Sequence, residues 1–220
     1  MRALVIGATG GIGAALTAAL RGQGADVTPL SRRQDGLDIT DEASVAACIG
    51  RLEGPFDRII IASGALEAGG GKPEKALRQF DAAQFEALMR INALGPALVM
   101  KHALRLLPRD RRAVLAALSA RVGSIGDNRA GGWHSYRASK AALNQLVRTT
   151  AIELGRTHPQ AVCVALHPGT VSTPLTRRYL GRHPAVAPDE AARNLLAVID
   201  ALATEDSGSF RDWAGKPVAW

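Results

Sequence analysis

Two kinds of apolar pattern alternate along this chain. Short runs rich in Ala, Val, Ile and Leu, at residues 3–6, 26–30, 58–62, 112–118 and 161–166, predict strands, most of them apolar enough to be buried on both faces. Helical patterns fill residues 12–20, 41–52, 73–90, 92–107, 136 to about 154, and 189–202, the last entered through Pro188. Pro96 falls inside the fourth of these and has no N–H to donate, so that helix is expected to start or kink there. Strands alternating with helices imply a mostly parallel sheet covered by helices on both faces. No internal repeat, low-complexity tract or linker interrupts the pattern. The expectation is therefore an α/β fold, a single doubly wound domain over residues 1–220. The tail, 207–220, shows no period.

Glycines and polar residues cluster at the C-terminal ends of these strands, which is where such sheets bind their ligands. The first cluster is Gly7-Ala8-Thr9-Gly10-Gly11-Ile12-Gly13, between the first strand and the first helix. Glycine there permits a tight turn and close approach to a pyrophosphate, and the helix N-terminus offers free N–H groups. The spacing, G-x-x-x-G-x-G, is wider than the common G-x-G-x-x-G. The strand–turn–helix context nevertheless marks it as a Rossmann-type dinucleotide site. After the second strand, an NAD site places an acid that accepts from the adenosine ribose hydroxyls. This chain reads Ser31-Arg32-Arg33 instead. A hydroxyl and two guanidinium groups suit a 2′-phosphate, so NADP(H) is the favoured cofactor and NAD(H) the alternative. Asp38-Ile39-Thr40 leads into the helix at 41, with Thr40 as its expected cap. Gly69, Gly70 and Gly71 mark a loop. Ser63-Gly64, Ser119 and Pro168-Gly169 stand at the ends of later strands and should meet Gly7 in one cleft.

The stretch 131–140 carries the candidate chemistry. Tyr136 and Lys140 are four residues apart at the head of the long helix, which puts both side chains on one helical face. A cation beside a phenol favours the phenolate and is expected to lower the Tyr pKa from its ordinary value of about 10. Such a Tyr can give a proton to a carbonyl oxygen or take one from an alcohol. The plainer account is an exposed ion beside a surface aromatic, and the spacing alone does not decide between them.

Composition removes several alternatives. The net charge of +7 is carried mainly by scattered arginines, and aromatic residues are only 4% of the chain, which argues against nucleic-acid binding and leaves attraction for an anionic ligand. Cys48 and Cys163 have no metal-ligand spacing, so no disulfide framework and no metal site are expected, and reduced thiols fit a cytoplasmic location. No apolar run approaches the roughly 20 residues of a membrane span, and the N-terminal apolar residues run straight into the glycine turn, unlike a signal peptide. His102, His134, His158, His167 and His183 show no ligand spacing and read as structural or exposed.

Taken in order, these pieces resemble the short-chain dehydrogenase/reductase family over essentially the whole chain. The family's T-G-x-x-x-G-x-G appears at residues 6–13, with Ile6 in place of the Thr. Its adenine-contacting Asp matches Asp38, followed by Ile39, and its N-A-G tripeptide is altered to Ala62-Ser63-Gly64. Its helix-borne catalytic Asn matches Asn92, its Y-x-x-x-K is Tyr136 to Lys140, and its P-G-x-x-x-T loop is Pro168-Gly169-Thr170-Val171-Ser172-Thr173. A narrower likeness to the bacterial C-factor branch and related small carbonyl reductases is carried by residues 118–128, 210–216 and the terminal Trp220.

The resemblance implies a small-molecule carbonyl or alcohol substrate and a homo-oligomer, with a dimer favoured over a tetramer, built on the helix near Asn92 and the helix of Lys140. It gives Tyr136 the proton transfer, Lys140 the nicotinamide ribose and Asn92 a proton relay. It sets Thr9, Val171 and Thr173, with the Pro168-Gly169 turn, against the cofactor. One position departs: the family Ser three residues before Gly123 is Ala120 here. Ser119 is the preferred substitute and Ser124 the second candidate. The C-factor likeness also keeps open a nucleotide-binding signalling protein with little turnover. Residues 174–188, which should wall the substrate pocket, carry Arg177, Arg178, Tyr179 and Arg182, either welcoming an anion or solvated.

Overall fold

Alternate residues of each strand separate into two apolar layers, one on either face of the sheet. The computed structural model of the chain describes residues 1–180 and 184–220. Among them, β1 (Arg2–Ile6), β2 (Asp26–Leu30), β3 (Arg58–Ile61), β4 (Ala113–Leu118), β5 (Ala161–His167) and β6 (Phe210–Asp212) form one sheet in the order β2-β1-β3-β4-β5-β6. Every pairing is parallel, in registers such as Leu4↔Ile59 and Leu118↔Leu166.

Leu4, Ile6, Ile59, Ile61, Leu115, Ala117, Cys163 and Ala165 face one way and pack under α3 (Glu42–Gly50), α5 (Gly95–Ala103) and α6 (His134–Thr157). Their strand neighbours Ala3, Val5, Ile60, Val114, Ala116, Val162 and Val164 face the other way, under α1 (Gly11–Gly22) and α7 (Pro188–Ala201). Strands buried on both faces have no polar alternation to show, which is why they appear in the sequence as unbroken apolar runs. The order reverses between β1 and β3, so the glycine turn after β1 and residues 62–64 after β3 flank the crevice where the sheet splays.

Several expected elements change. Thr40 is not the cap of α3. Asp41 is, its carboxylate accepting from the Ala43 N–H, while Thr40 donates back to Asp38 through both N–H and hydroxyl. The helix expected over 73–90 begins only at α4 (Ala82–Met89), because Asp81 caps it by accepting from the Gln84 N–H. Residues before it form a loop and a single 3₁₀ turn, Leu77–Gln79. A short helix, α2 (Arg32–Asp35), follows β2, with Ser31 as its N-cap.

The helix α4 runs into α5 through a π turn, Arg90–Leu94. Pro96, in the first turn of α5, cannot donate to the carbonyl four residues back, and the wider π turn just ahead of it is the local adjustment. The tail is not structureless. Phe210–Asp212 adds the sixth strand, Val218 N–H returns to the Phe210 carbonyl, and Trp220 stacks on Phe210 with ring centroids 5.8 Å apart.

Candidate active site

Three adjoining cavities occupy the C-terminal edge of the sheet. The first, about 350 Å³, is lined by Gly7, Thr9, Gly10, Ser31, Arg32, Asp38, Ile39, Ala62, Ser63 and Gly64, among others. Gly7 adopts φ +85°, and a Cβ placed on Gly13 would sit 2.2 Å from the Gly7 carbonyl oxygen, so only glycine lets α1 start this close to the turn. A Cβ on Gly11 would collide with the Thr173 side chain, which joins the glycine turn to the loop after β5. This cradle, with the uncapped amides at the start of α1 pointing along it, fits a pyrophosphate.

Arg32 is exposed on the cavity wall, whereas Arg33 is not among its lining residues. The Ser31 hydroxyl is already engaged, accepting from the Gln34 N–H at 3.2 Å and donating to Asp35 at 3.2 Å. Residues 31–33 include no acid. The structure folds Asp35 back onto Ser31, where its carboxylate also takes the Ser31 N–H at 2.8 Å. The Thr40 N–H and hydroxyl hold the Asp38 carboxyl below its ordinary range; burial opposes them, and Arg32 and Arg90 add smaller contributions in the same direction as Thr40.

The second cavity, about 130 Å³, contains Ile12, Ser63, Gly64, Ser119, Ala120, Tyr136, Lys140, His167, Pro168, Gly169, Val171 and Thr173. The third, about 360 Å³, shares Ala120, Tyr136 and His167 with it and opens outward past Leu66, Val122, Trp133, Leu175, Tyr179 and Leu180. Trp133 packs edge-on against both Tyr136 and Tyr179, centroids 6.1 and 5.7 Å apart, giving this cavity an aromatic wall. Arg177 and Arg178 are exposed. Arg182 and His183 lie outside the described residues.

Tyr136 thus stands where the second and third cavities meet. Lys140, 4% exposed, donates to the Leu118 carbonyl at 2.9 Å and lies 6.0 Å from the centre of the Tyr136 ring. The expected lowering of the Tyr pKa is absent from this geometry. Burial dominates and pushes the phenol up to about 12, while the same burial brings the Lys140 ammonium down to about 8. Tyr136 is therefore a protonated acid at working pH.

Asn92 is fully buried in the π turn and does not line these cavities. Its amide bonds the Ala65 N–H and carbonyl, both at 2.8 Å, and the Ser139 hydroxyl at 3.0 Å, tying the residues after β3 to α6. Ser119 lines the second cavity, but its hydroxyl donates to Asn144 at 2.6 Å. Ser124 is 2% exposed, accepts from the Asp127 N–H, and is not on a cavity wall here. The position on both walls belongs to Ala120.

Two residues outside the sequence motifs matter to this arrangement. Glu74, 2% exposed, lies at the N-terminus of α6. Its carboxylate accepts from the Ser135 N–H at 3.3 Å and from the Ser135 hydroxyl, and its carbonyl accepts from the Trp133 N–H at 2.5 Å. An anion there is favourable to the helix. It also pins three successive left-handed residues, Gly131, Gly132 and Trp133, at φ 62°, 64° and 52°, the last an uncommon conformation for a bulky side chain. His167, read as structural or exposed, closes β5 and faces the second and third cavities. Its place directly before Pro168-Gly169, at a strand's C-terminal end, was the available signal.

The short chain dehydrogenase family matches residues 1–182. A 1-hydroxy-2-glutathionyl-2-methyl-3-butene dehydrogenase of Rhodococcus sp. (strain AD45) is 31% identical over 99% of this chain and 98% of its own. The C-signal of Myxococcus xanthus is 38% identical over 66% of this chain and 84% of its own. A short-chain dehydrogenase/reductase of Burkholderia multivorans, solved with bound NADP, superposes with a TM-score of 0.84 at 26% identity, covering 100% of this chain and 99% of that one.

Proposed function

We propose an NADP(H)-dependent carbonyl reductase for this chain, which belongs to the short-chain dehydrogenase family and is an NAD(P)-dependent oxidoreductase. The observation that carries the proposal is the position of Tyr136, protonated and shared between a small cavity that adjoins the glycine turn and a larger one with an aromatic wall.

The glycine turn and the start of α1 would hold the pyrophosphate, Asp38 and Ile39 the adenosine, and Lys140, Val171 and Thr173 the nicotinamide end. NADPH held there would supply the hydride that the carbonyl carbon takes up. The Tyr136 phenol gives its proton to the oxygen, so hydride and proton together convert carbonyl to alcohol. The Lys140 ammonium favours the phenolate left behind. Asn92 and Ser119 act by holding the cleft walls, since their hydrogen bonds are satisfied within the protein. Preference for NADP(H) over NAD(H) rests on Arg32, whose exposed guanidinium borders the adenosine end.

The Rhodococcus relative acts on a glutathionyl alcohol, and exposed Arg177 and Arg178 beside the aromatic cavity make an anionic conjugate a substrate class worth including in any panel. A second reading, a nucleotide-binding signalling protein of low turnover, is favoured by the similarity to the C-signal and by Ala120, which offers no hydroxyl. NADPH oxidation with aldehydes, ketones and diketones decides between them. Tyr136→Phe should lower turnover by at least about 100-fold while leaving NADPH affinity nearly unchanged, and full activity in that variant would sink the mechanism.

Self-association is part of the proposal. Phe85, Met89, Ala93, Leu94, Ala142 and Leu146 line a largely apolar groove of about 750 Å³ along the outer faces of α4, the π turn and α6, the surface expected to pair two copies. No helix among the described residues is long and apolar enough to cross a membrane.

A further inference from the structure

We propose that His167 gives the substrate's carbonyl oxygen a second hydrogen bond, beside that of Tyr136; the inference rests on the reductase reading above. His167 lines both the second and the third cavity, in the company of Ala120, Tyr136 and Thr176. Strand alternation puts it on the α6 side of the sheet, two residues after Ala165, which packs there. Its Nδ1 is enclosed by protein and has no hydrogen-bond partner among the described residues. With Nδ1 shut off from the cavities, the nitrogen left to meet a substrate oxygen is Nε2, and the proposal places the N–H of the ring there. Asp212, its register partner across the β5–β6 pair, has turned its Oδ1 to the N–H groups of Ala214 and Lys216, at 3.0 and 2.9 Å.

The reaction needs such a donor. Negative charge grows on the carbonyl oxygen as hydride reaches the carbon, and donors already aimed at that oxygen are commonly the largest electrostatic contribution to the rate. The hydroxyls nearby are committed elsewhere: Ser119 to Asn144, Ser124 to the Asp127 N–H, and Thr176 to the Val171 carbonyl. Ala120 has none. Among the described residues that line both cavities with Tyr136, the other polar side chains are Thr176, which is committed, and His167, which is not; Ser63 lines the second cavity alone and Thr170 the third alone. Burial, then the nearby Arg121, lower its pKa to about 4 against the opposing pull of Asp212. The ring is thus neutral at working pH, carrying one N–H to donate and one lone pair. A neutral imidazole is a far weaker acid than a phenol, so His167 holds the oxygen while Tyr136 protonates it.

The test is steady-state NADPH oxidation on the most reactive carbonyl of the panel, with NADPH affinity measured by fluorescence. It compares the parent, Tyr136→Phe, His167→Ala, His167→Asn and the double variant Ala120→Ser/His167→Ala. His167→Ala should lower kcat by about 100-fold, as loss of one such donor typically does, with NADPH affinity within about twofold of the parent. His167→Asn, which keeps a side-chain N–H, or the hydroxyl added at position 120, should recover at least part of that loss. Unchanged turnover in His167→Ala, in a parent whose activity Tyr136→Phe abolishes, would overturn this inference and leave the reductase reading intact. A loss in His167→Ala that neither replacement donor relieves would assign the residue to packing and overturn it too. A parent that binds NADPH but reduces nothing in the panel would overturn both.

Discussion

Lys140→Met should change how the stability of the fold responds to alkaline pH, in a direction set by burial of the Lys140 ammonium. Lys140 is 4% exposed, its ammonium makes a single hydrogen bond among the described residues, and burial brings its pKa down to about 8 from 10.5. A lysine whose folded pKa is depressed carries a penalty at neutral pH, because the charged form must be buried. Between about pH 8 and 10.5 the unfolded chain binds more protons at this site than the folded one, so stability contributed by Lys140 rises with pH through that window. At about 1.4 kcal/mol per pH unit, the gain amounts to roughly 2 kcal/mol by pH 9.5 and roughly 3 kcal/mol at its limit.

Other groups titrate in the same range. Burial raises Cys163 and Tyr136 to about 12, and both oppose the gain as the unfolded chain loses their protons first. They are present in parent and variant alike, so the difference between the two proteins isolates Lys140. Met keeps the length and apolar stem without a charge. Urea denaturation of both proteins at pH 7 and pH 9.5, without nucleotide, should show the parent gaining on Lys140→Met by about 2 kcal/mol between the two conditions. A difference independent of pH would refute the depressed pKa. A change of the opposite sign would mean that the ammonium is stabilised by a partner.

NADPH should bind at least about tenfold more tightly than NADH, and Arg32→Ala should erase most of that preference in paired fluorescence titrations. Gly13→Ala would force a Cβ to within 2.2 Å of a backbone oxygen and should cost about 1–3 kcal/mol in thermal stability along with much of the NADPH affinity. Gly22→Ala, at the far end of the same helix and with no atom within 4 Å, should be neutral or stabilising by up to about 1 kcal/mol. Light scattering should give a dimer at micromolar concentration, shifted toward monomer by Leu146→Arg in the groove between α4 and α6; a parent mass near one protomer would refute the pairing.

The glycine-lined half of the cleft was legible because its devices are local. A glycine cluster between a strand and a helix announces itself within seven residues, and the buried parallel strands show as apolar runs at residues 3–6 and 112–118. What the sequence hid is long-range or very short. Three residues of β6 are too few to show a period. Glu74 reads as an ordinary surface acid in a helical pattern until tertiary structure brings it to Ser135, 61 positions away. The Tyr–Lys spacing correctly placed the two side chains together, yet their protonation followed burial, which spacing does not report. The partners that engage the Ser119 and Ser124 hydroxyls, Asn144 and Asp127, are named by no local pattern.

The anchoring of α6 by Glu74 has a genetic consequence. The segment joining β3 to α4 contributes no atom to the proton transfer proposed for Tyr136, but it sets where that helix begins. An insertion or a charge-reversing change near position 74 would relax three left-handed residues and shift the phenol relative to the aromatic wall, while the glycine turn stayed intact. Such an allele, where the fold survives the change, would encode a protein that holds its nucleotide yet behaves in a cell as a null for the chemical step. A screen that scored only abundance or nucleotide retention would pass it as healthy.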